Sequence, residues 1–237
     1  MKTYCISDVH GHIANLKRFI KTLDEDDVVY VLGDVVDKGV DSIGCLELIM
    51  EDKRFRMLLG NHEHMMFQVL SLDKNSSDYY LIYTQWIDWN LGEDTYLSFL
   101  KLPKYKQIRI FYYLRDLPLN YPSVKVNGKT YYLVHSCPND DIQRKMQDFK
   151  YDEDEIAKYV WERVNPMGRL EIDDKVVVAG HTIVQEYIGN KDEPRPVMDS
   201  DDIKKAHYID IDGGLAANYK TSRLIALCLD DLSYTLY

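Results

Sequence analysis

Long apolar runs are missing from this sequence, and their absence argues against a membrane-spanning helix. A helix that crosses a bilayer needs about 20 mostly apolar residues, whereas the longest apolar runs here are short, such as residues 224–229. An acidic residue, Asp8, stands where a secretory signal peptide would carry its apolar stretch. We therefore expect neither a signal peptide nor a membrane partner.

Cysteine is also scarce. Cys5, Cys45, Cys137 and Cys228 stand far apart, and none of them forms a CxxC pair. This is not the pattern of a disulfide framework or of a thiolate zinc site. The sequence predicts four free thiols in a reducing compartment, and hence a cytoplasmic protein.

Basic residues are outnumbered, 29 against 39 acidic ones, which gives a net charge of -10. This balance argues against a protein that binds nucleic acid along a broad surface. It leaves phosphate-containing substrates open, because bound metal cations reverse the local field. With 237 residues, 46% of them hydrophobic, the chain fits a single domain over 1–237.

The first half of the chain alternates short apolar runs with helical patterns. Strands are predicted at 4–7, 28–32 and 56–59, and helices at 13–22, 41–51 and 62–72. This alternation indicates βαβ units, with at least partly parallel strands and with helices that cover the sheet. The fold class is therefore α/β.

Residues 74–122 interrupt the alternation, and 124–237 return to strands. The first segment is aromatic-rich and mostly helical in period, which predicts a helical insertion that forms one wall of a cleft. We interpret its aromatic residues as core rather than as a surface for stacking bases. Later strands are predicted in a hairpin at 124–132, which turns at Asn127-Gly128, and at 176–179, 208–211, 223–229 and 234–236. The sequence thus predicts two layers of mixed β-sheet with flanking helices.

Polar side chains follow five of the apolar strands at the point where each strand ends. Ligands of open α/β sheets bind in the crevice beyond the carboxyl ends of the strands, so we expect these side chains to converge. They are Asp8, His10, Asp34, Asn61, His135 and His181. Oxygen and imidazole donors without a thiolate suit Mn, Fe or Zn with five or six ligands. Six ligands exceed what one ion usually takes from protein, so we predict two metal ions bridged by Asp34.

The motifs around these residues resemble those of the calcineurin-like metallophosphoesterases, and especially their phosphoprotein phosphatase branch. Residues 8–11 (DVHG), 33–39 (GDVVDKG) and 60–63 (GNHE) resemble the family signatures GDxHG, GDxVDRG and GNHE. His135 and His181 resemble the two later histidines of the family. Trp89-Asn90 and Trp161-Glu162-Arg163 resemble elements of its bacterial and phage members. The resemblance runs from residue 3 to about residue 230.

The resemblance implies a role for each of these residues. Asp8, His10 and Asp34 would hold one divalent ion, and Asp34, Asn61, His135 and His181 would hold the other. His62 resembles the general acid of the family, oriented by Asp37, and Arg163 resembles an arginine that binds phosphate. The implied reaction is in-line attack on phosphorus by a hydroxide shared between two metal ions, with Mn²⁺ first among Mn, Fe, Zn, Ni and Co.

Three positions depart from the family pattern. Ser7 replaces the usual glycine before Asp8, and Leu91 stands where bacterial members often have a second glycine. Lys38 replaces the arginine of GDxVDRG. Because lysine is a compact point charge and arginine a planar two-pronged donor, we expect Lys38 to face the substrate phosphate but to orient it less strictly.

These observations predict a metal-dependent phosphomonoesterase that acts on phosphoserine, phosphothreonine or phosphotyrosine in proteins, or on small phosphoesters. A nucleotide hydrolase on the same centre, such as one that cleaves diadenosine tetraphosphate symmetrically, stays open as the alternative. A non-catalytic binding protein is a third interpretation, and the complete ligand set speaks against it. His12, His64 and His207 have no matching spacing and are predicted to be surface or supporting residues. The irregular loop at 186–206 could overhang the site.

Overall fold

The computed structural model describes residues 1–138, 153–163, 172, 174–189 and 191–237. The strands of these residues form two sheets. They are β1 Thr3–Ile6, β2 Val28–Val31, β3 Phe55–Met57, β4 Asn120–Val126, β5 Lys129–Val134, β6 Val176–Ala179, β7 Val197–Met198, β8 Tyr208–Asp210, β9 Ile225–Cys228 and β10 Tyr234–Leu236. The strand order is β10-β9-β1-β2-β3 in the first sheet and β4-β5-β6-β8-β7 in the second.

Helices pack outside the sheets and form the segment between β3 and β4. The α-helices are α1 Ile13–Ile20, α2 Ser42–Glu51, α3 Asn61–Ser71, α4 Ser77–Thr84, α5 Glu93–Leu100, α6 Lys104–Arg115, α7 Glu153–Trp161 and α8 Val184–Tyr187. A π-helical turn spans Gln85–Trp89, and short 3₁₀ turns span Ile203–Lys205 and Leu215–Ala217.

The parallel strands explain why the polar motifs converge. In the first sheet β1 pairs in parallel with β2, and β2 with β3. In the second sheet β5, β6 and β8 are parallel. Loops that follow these strands therefore emerge at the same edge of each sheet. The α/β prediction with two mixed sheets and flanking helices is confirmed.

Side chains of the two sheets meet in a buried layer between them. Alternate residues of a strand point to opposite faces, so neighbours such as Cys5 and Ile6 belong to different apolar clusters. The layer between the sheets includes Cys5, Leu133, Val178, Ile209 and Leu227. The opposite face of the first sheet packs on α1 and α2 through Ile6, Val31, Leu16 and Leu46. The first sheet thus combines strands from both ends of the sequence, because β1 pairs with β9.

The helical segment between β3 and β4 has an aromatic core, as its composition predicts. The Tyr79 and Tyr83 rings stack at 5.5 Å between centroids, and Tyr96 contacts Tyr83 and the fully buried Trp86. The last helix ends at Arg115, and residues 120–122, assigned to the insertion from the sequence, instead begin β4. Their backbone pairs with β5, where Asn120 lies opposite Val134.

Three smaller predictions have clear outcomes. The hairpin turns at Asn127 and Gly128, whose φ values of 48° and 81° are those a type I′ turn requires. All four cysteines are free thiols, and three of them are buried. The 186–206 loop is partly regular, because β7 pairs antiparallel with β8. Within the described part of the chain, every helix is too short or too polar to traverse a bilayer.

Candidate metal centre

The six predicted ligands come together beyond the strand ends. Asp8 and His10 follow β1, Asp34 follows β2, Asn61 begins α3, His135 follows β5 and His181 follows β6. All six are buried, with exposed fractions between 0% and 8%. Carboxylate, amide and imidazole donors therefore lie together at the edge where these strands end, in a space largely shielded from water.

Two groups of side chains present ligand atoms that lie within 4.8 Å of one another. One group is His10, Asp34 and His62, and the other is Asp34, His135 and His181. Asp34 belongs to both, as expected of a carboxylate that bridges two ions. Asp8 lies beside the first group, since its Oδ1 is 3.8 Å from His10 Nε2. Asn61 lies beside the second, with Oδ1 2.9 Å from His135 Nε2.

Backbone carbonyls fix the ring of each predicted histidine ligand. His10 Nδ1 lies 3.0 Å from the Val36 carbonyl, His135 Nδ1 lies 2.7 Å from that of Leu32, and His181 Nε2 lies 3.2 Å from that of Trp161. A carbonyl oxygen can only accept, so these nitrogens carry the hydrogen. The other nitrogen of each ring then presents a lone pair, which is how metal-binding histidines are usually held.

Burial sets the protonation of these groups. It lowers the pKa of His10 and His135 well below the usual value, and burial together with the nearby positive charge of Arg163 lowers that of His181 to about 4. Burial also raises the pKa of Asp8 and Asp34, and neighbouring carboxylates add to the effect. Neutral imidazoles and crowded carboxylates are the state that a divalent cation favours.

The contact between Asn61 and His135 also points to a cation. With its Nδ1 hydrogen donated to Leu32, a neutral His135 ring has no hydrogen on Nε2. The Nε2 lone pair then faces the Asn61 carbonyl oxygen across 2.9 Å. Two acceptors at this distance repel each other unless a cation binds both. The donor set thus fits divalent metal ions.

His62 makes the contacts expected of a positioned acid or base. Its Nδ1 lies 2.6 Å from Asp37 Oδ2, so the ring donates this hydrogen to the carboxylate. Its Nε2 points toward Asp34, 3.9 Å from Oδ2. His62 also belongs to the first group of possible metal ligands, a role that the sequence did not assign to it. The general-acid role stays a prediction.

The backbone is left-handed at four of the predicted ligands. The φ values are 51° at Asp8, 43° at His10, 54° at Asp34 and 69° at His181. Such values are uncommon outside glycine and concentrate at functional sites. Close packing adds a further constraint, because a Cβ on Gly180 would overlap Ser7 Oγ and Asp8 Oδ2. The backbone conformation at these positions therefore ends the regular structure and directs the ligand side chains toward one another.

Glu63 has a role that the sequence analysis missed. Its carboxylate accepts the backbone N–H groups of Asp34 and Val35, both at 2.8 Å, and that of Val36 at 3.1 Å. It also accepts the N–H of Gly60 at 3.2 Å and so caps its own helix. A glutamate three residues after a helix N-cap is the signal that could have revealed this contact.

Two further residues near the site were also missed. Trp86 Nε1 donates to Asp37 Oδ2 at 2.7 Å. Asp212 is buried just beyond β8, and its charge helps to raise the pKa of Asp8; burial raises its own pKa to about 6. Asp212 follows a strand end as the predicted ligands do, so the same pattern could have found it. No local signal connects Trp86 with Asp37.

The predicted phosphate-binding cations have different surroundings. Lys38 is half-buried beside the centre with φ 68°, and burial lowers its pKa against the opposing charges of Asp37 and Asp34. Arg163 is exposed, yet its charge lowers the pKa of both His181 and His135. Leu91 is 61% exposed and has a left-handed φ of 59°. The roles of Lys38 and Arg163 stay predictions.

The remaining histidines lie outside both ligand groups of the described residues. His12 Nε2 contacts the Leu215 carbonyl at 3.1 Å. His64 is buried within α3, and His207 is exposed with Nδ1 3.6 Å from Asp199 Oδ2.

Comparison with known proteins adds relatives of two kinds. The symmetrical bis(5'-nucleosyl)-tetraphosphatase of Pectobacterium carotovorum is 32% identical over 80 residues, which are 32% of this chain and 28% of that protein. The chain thus matches just over a quarter of this curated relative's length.

Similar solved structures extend over almost the whole chain. A candidate diadenosine tetraphosphatase has a TM-score of 0.60 and 16% identity, covering 100% of this chain and 92% of that one. A cold-active protein-tyrosine phosphatase from Shewanella has a TM-score of 0.54 and 18% identity, covering 99% and 80%. At such identities these structures show a common fold.

The symmetrical bis(5'-nucleosyl)-tetraphosphatase of Paracidovorax citrulli is 40% identical over 67 residues, which are 27% of this chain and 24% of that protein. The model of the calcineurin-like phosphoesterase family matches residues 1–210. That match takes in five of the strand ends that carry the centre, from Asp8 to His181. The chain therefore belongs to the calcineurin-like phosphoesterase family.

Proposed function

We propose that this protein is a metal-dependent hydrolase that cleaves a phosphoanhydride bond of a dinucleoside polyphosphate symmetrically. The single observation that carries the hydrolase proposal is Asp34, whose carboxylate belongs to two adjacent groups of buried ligands. The nucleotide substrate is supported by the similarity to the symmetrical tetraphosphatase of Pectobacterium.

The centre has residues for two divalent ions. Asp8, His10 and Asp34 would hold one ion, and Asp34, Asn61, His135 and His181 the other, with Mn²⁺ as the first metal to test. Bound there, the ions would supply positive charge for phosphoryl oxygens and acidify water at neutral pH. The protein itself keeps the three imidazoles neutral through burial and orients them through carbonyl contacts.

His62 would handle the proton of the leaving group. Asp37 accepts the Nδ1 hydrogen and so fixes the ring with Nε2 toward the centre. A proton held on Nε2 can pass to the oxygen that leaves phosphorus, and imidazole is suited to this near neutral pH. The carboxylate behind the ring holds it in the orientation that this transfer needs.

Two cations would bind the phosphoryl group being attacked. Lys38 follows Asp37 directly and is held half-buried beside the ligands. Arg163 follows α7, and its positive charge contributes to the lowered pKa of His181, which supports a position near the second ligand group. Together they would offset phosphate charge in a chain whose net charge is -10.

A second candidate function is the hydrolysis of phosphomonoesters in phosphorylated proteins. The contact between His62 and Asp37 favours it, because a serine or threonine alkoxide is a far poorer leaving group than a nucleotide phosphate and depends more on a proton donor. In either case the four free thiols support a reducing compartment such as the cytoplasm.

The test is phosphate and nucleotide release by metal-stripped protein with and without Mn²⁺. The substrates are diadenosine tetraphosphate, a phosphoserine peptide and a phosphotyrosine peptide. Asp34→Asn is the inactive control, and His207→Asn is a control at an exposed histidine. We expect Mn²⁺-dependent conversion of the dinucleotide to ADP alone.

Each other outcome rejects part of the proposal. Turnover confined to the peptides would reject the nucleotide substrate in favour of the second candidate. Bound metal with no turnover of any substrate would reject the hydrolase itself and leave a binding protein.

A further inference from the structure

A polar cavity of 580 Å³ opens beside α1, apart from the ligand groups. Its walls come from α1 and the residue before it, from the 3₁₀ turn Leu215–Ala217, and from the chain that leads into β9. Its lining includes His12, Arg18, Tyr219, Lys220 and Arg223. Nothing in the proposed reaction uses this cavity.

The lining carries positive charge without acidic residues. Arg18, Lys220 and Arg223 contribute three cations, in a protein with ten more acidic than basic residues. Within the described residues, none of the three makes an ion pair. Arg223 Nη1 donates to the carbonyls of Lys220 and Ser222, at 3.1 and 2.8 Å, which steadies the guanidinium while its other N–H groups stay available. Such a cavity favours an anion.

Two loops join this cavity to the metal centre. His12, two residues beyond His10, contacts the Leu215 carbonyl through Nε2. The wall opposite α1 is formed by the chain between Asp212 and Arg223. At the start of this chain, the charge of Asp212 raises the pKa of Asp8. The cavity therefore shares its walls with the loops that carry the first ligands.

Strand pairing places one wall of the cavity, the chain before β9, at the same edge of the sheet as the ligands. β9 runs antiparallel to β1, with Leu227 opposite Cys5. Arg223 precedes β9 and so lies toward the end of β1 from which Asp8 and His10 emerge. The Arg223 side of the cavity and the loop that carries Asp8 and His10 therefore lie toward the same end of β1.

We propose that this cavity binds the phosphate groups of the substrate that are not attacked, as a nucleoside diphosphate subsite. The inference rests on the proposed nucleotide substrate and deepens it. Arginine binds phosphate with paired N–H donors, and two arginines with a lysine match a diphosphate better than a single phosphoryl group.

Binding is tested directly by NMR of the arginine Nε–H groups in zinc-loaded protein, with ADP as the probe. The Arg18 and Arg223 signals are assigned by the variants Arg18→Gln and Arg223→Gln. Arg56 provides a matched control, because its Nη1 also donates to the carbonyls one and three residues earlier. We expect ADP to shift the signals of Arg18 and Arg223 and to leave that of Arg56 unchanged.

Kinetic measurements distinguish a substrate subsite from surface charges that do not contact the substrate. For diadenosine tetraphosphate we expect the double variant Arg18→Gln/Arg223→Gln to raise KM about 10-fold, as the loss of charge-assisted contacts predicts. Its kcat, and its turnover of nitrophenyl phosphate, should match those of Arg56→Gln. Unfolding temperatures of the variants confirm that the fold is kept.

The failures of the two proposals are distinguishable. If ADP shifts both arginine signals but the dinucleotide is not cleaved, the proposed substrate is wrong, and the cavity binds a nucleotide outside the reaction instead of serving as a subsite. If the dinucleotide is cleaved but neither signal shifts and KM is unchanged, the subsite is wrong and the substrate is retained.

Discussion

Trp86 Nε1 donates a hydrogen bond of 2.7 Å to Asp37 Oδ2, although 49 residues separate the two in sequence. The same carboxylate oxygen accepts from His62. The helical segment between β3 and β4 thus contacts the group that orients the proposed acid, and its role extends beyond forming a wall of the cleft.

Replacing Trp86 with phenylalanine keeps an aromatic ring in the buried position but removes this donor. We expect kcat to fall about 10-fold, with a smaller change in KM, since partners one step removed from a site typically contribute 10- to 100-fold. Trp89→Phe, at a position 71% exposed, is the control. Equal kcat in the two variants would show that Asp37 needs no second donor.

The proposed acid is tested by its dependence on the leaving group. His62→Asn should lower turnover of substrates with poor leaving groups by about 10²- to 10⁴-fold, the usual contribution of general acid catalysis. The loss should be smaller for nitrophenyl phosphate, which needs little protonation. Metal content is measured in parallel, because His62 also lies among the possible ligands. Equal losses on both substrates, with metal lost, would make His62 a ligand instead.

Lys38 is tested by restoring the family arginine. Lys38→Arg should lower the inhibition constant of inorganic phosphate about 5-fold, as one added charge-assisted hydrogen bond predicts. The measurement is competitive inhibition of nitrophenyl phosphate hydrolysis. Lys53→Arg, in the turn before β3 and so at the opposite end of that strand from the ligands, controls for added arginine. An unchanged inhibition constant would place Lys38 outside the pocket.

Leu91 stands in a backbone conformation that glycine adopts more readily. A left-handed φ costs an L-residue about 1–2 kcal/mol, while glycine costs about 0.5–1 kcal/mol in unfolded-chain entropy. Leu91→Gly should therefore raise the free energy of unfolding by up to about 1 kcal/mol. Leu97→Gly, in the middle of α5, should lower it by about 1 kcal/mol. Urea unfolding measures both, and destabilisation by Leu91→Gly would contradict the strain argument.

Asp210 gives a prediction for pH. Burial raises the pKa of this carboxyl well above its usual value, and the charges of Asp212 and Asp8 add to the effect. The folded state then binds a proton that the unfolded state releases above about pH 4, so this contribution to stability is present at low pH and lost as pH rises. Asp210→Asn does not titrate. The urea midpoint of the variant, relative to that of the parent protein, should therefore rise between pH 5 and pH 8. If the difference between the two midpoints stays constant over this range, the pKa of Asp210 is not raised.

Much of the fold follows from local pattern. The first three strands and the helices after them lie within two residues of the predicted bounds. Their apolar runs are short and the turns between them carry glycine or aspartate. Burial and turn chemistry therefore predict the same strand and helix bounds. The ligands were predictable for the same reason, since each follows an apolar strand and parallel strands end at one edge.

The missed features arise from contacts between distant segments. The contact of Trp86 with Asp37 depends on how the helical segment packs, and no spacing in the sequence encodes it. Residues 120–122 were assigned to the helical insertion because nothing marks them locally as a strand. Pairing with β5 decides their conformation.

The carboxylate of Glu63 has a consequence for how the site can adapt. Because it holds the backbone of residues 34–36 and the start of α3 at once, the loops after β2 and β3 can shift only together. Asp34, Asn61 and His62 therefore form one rigid wall of the cleft. A shift in either loop is therefore transmitted to all three of these side chains together.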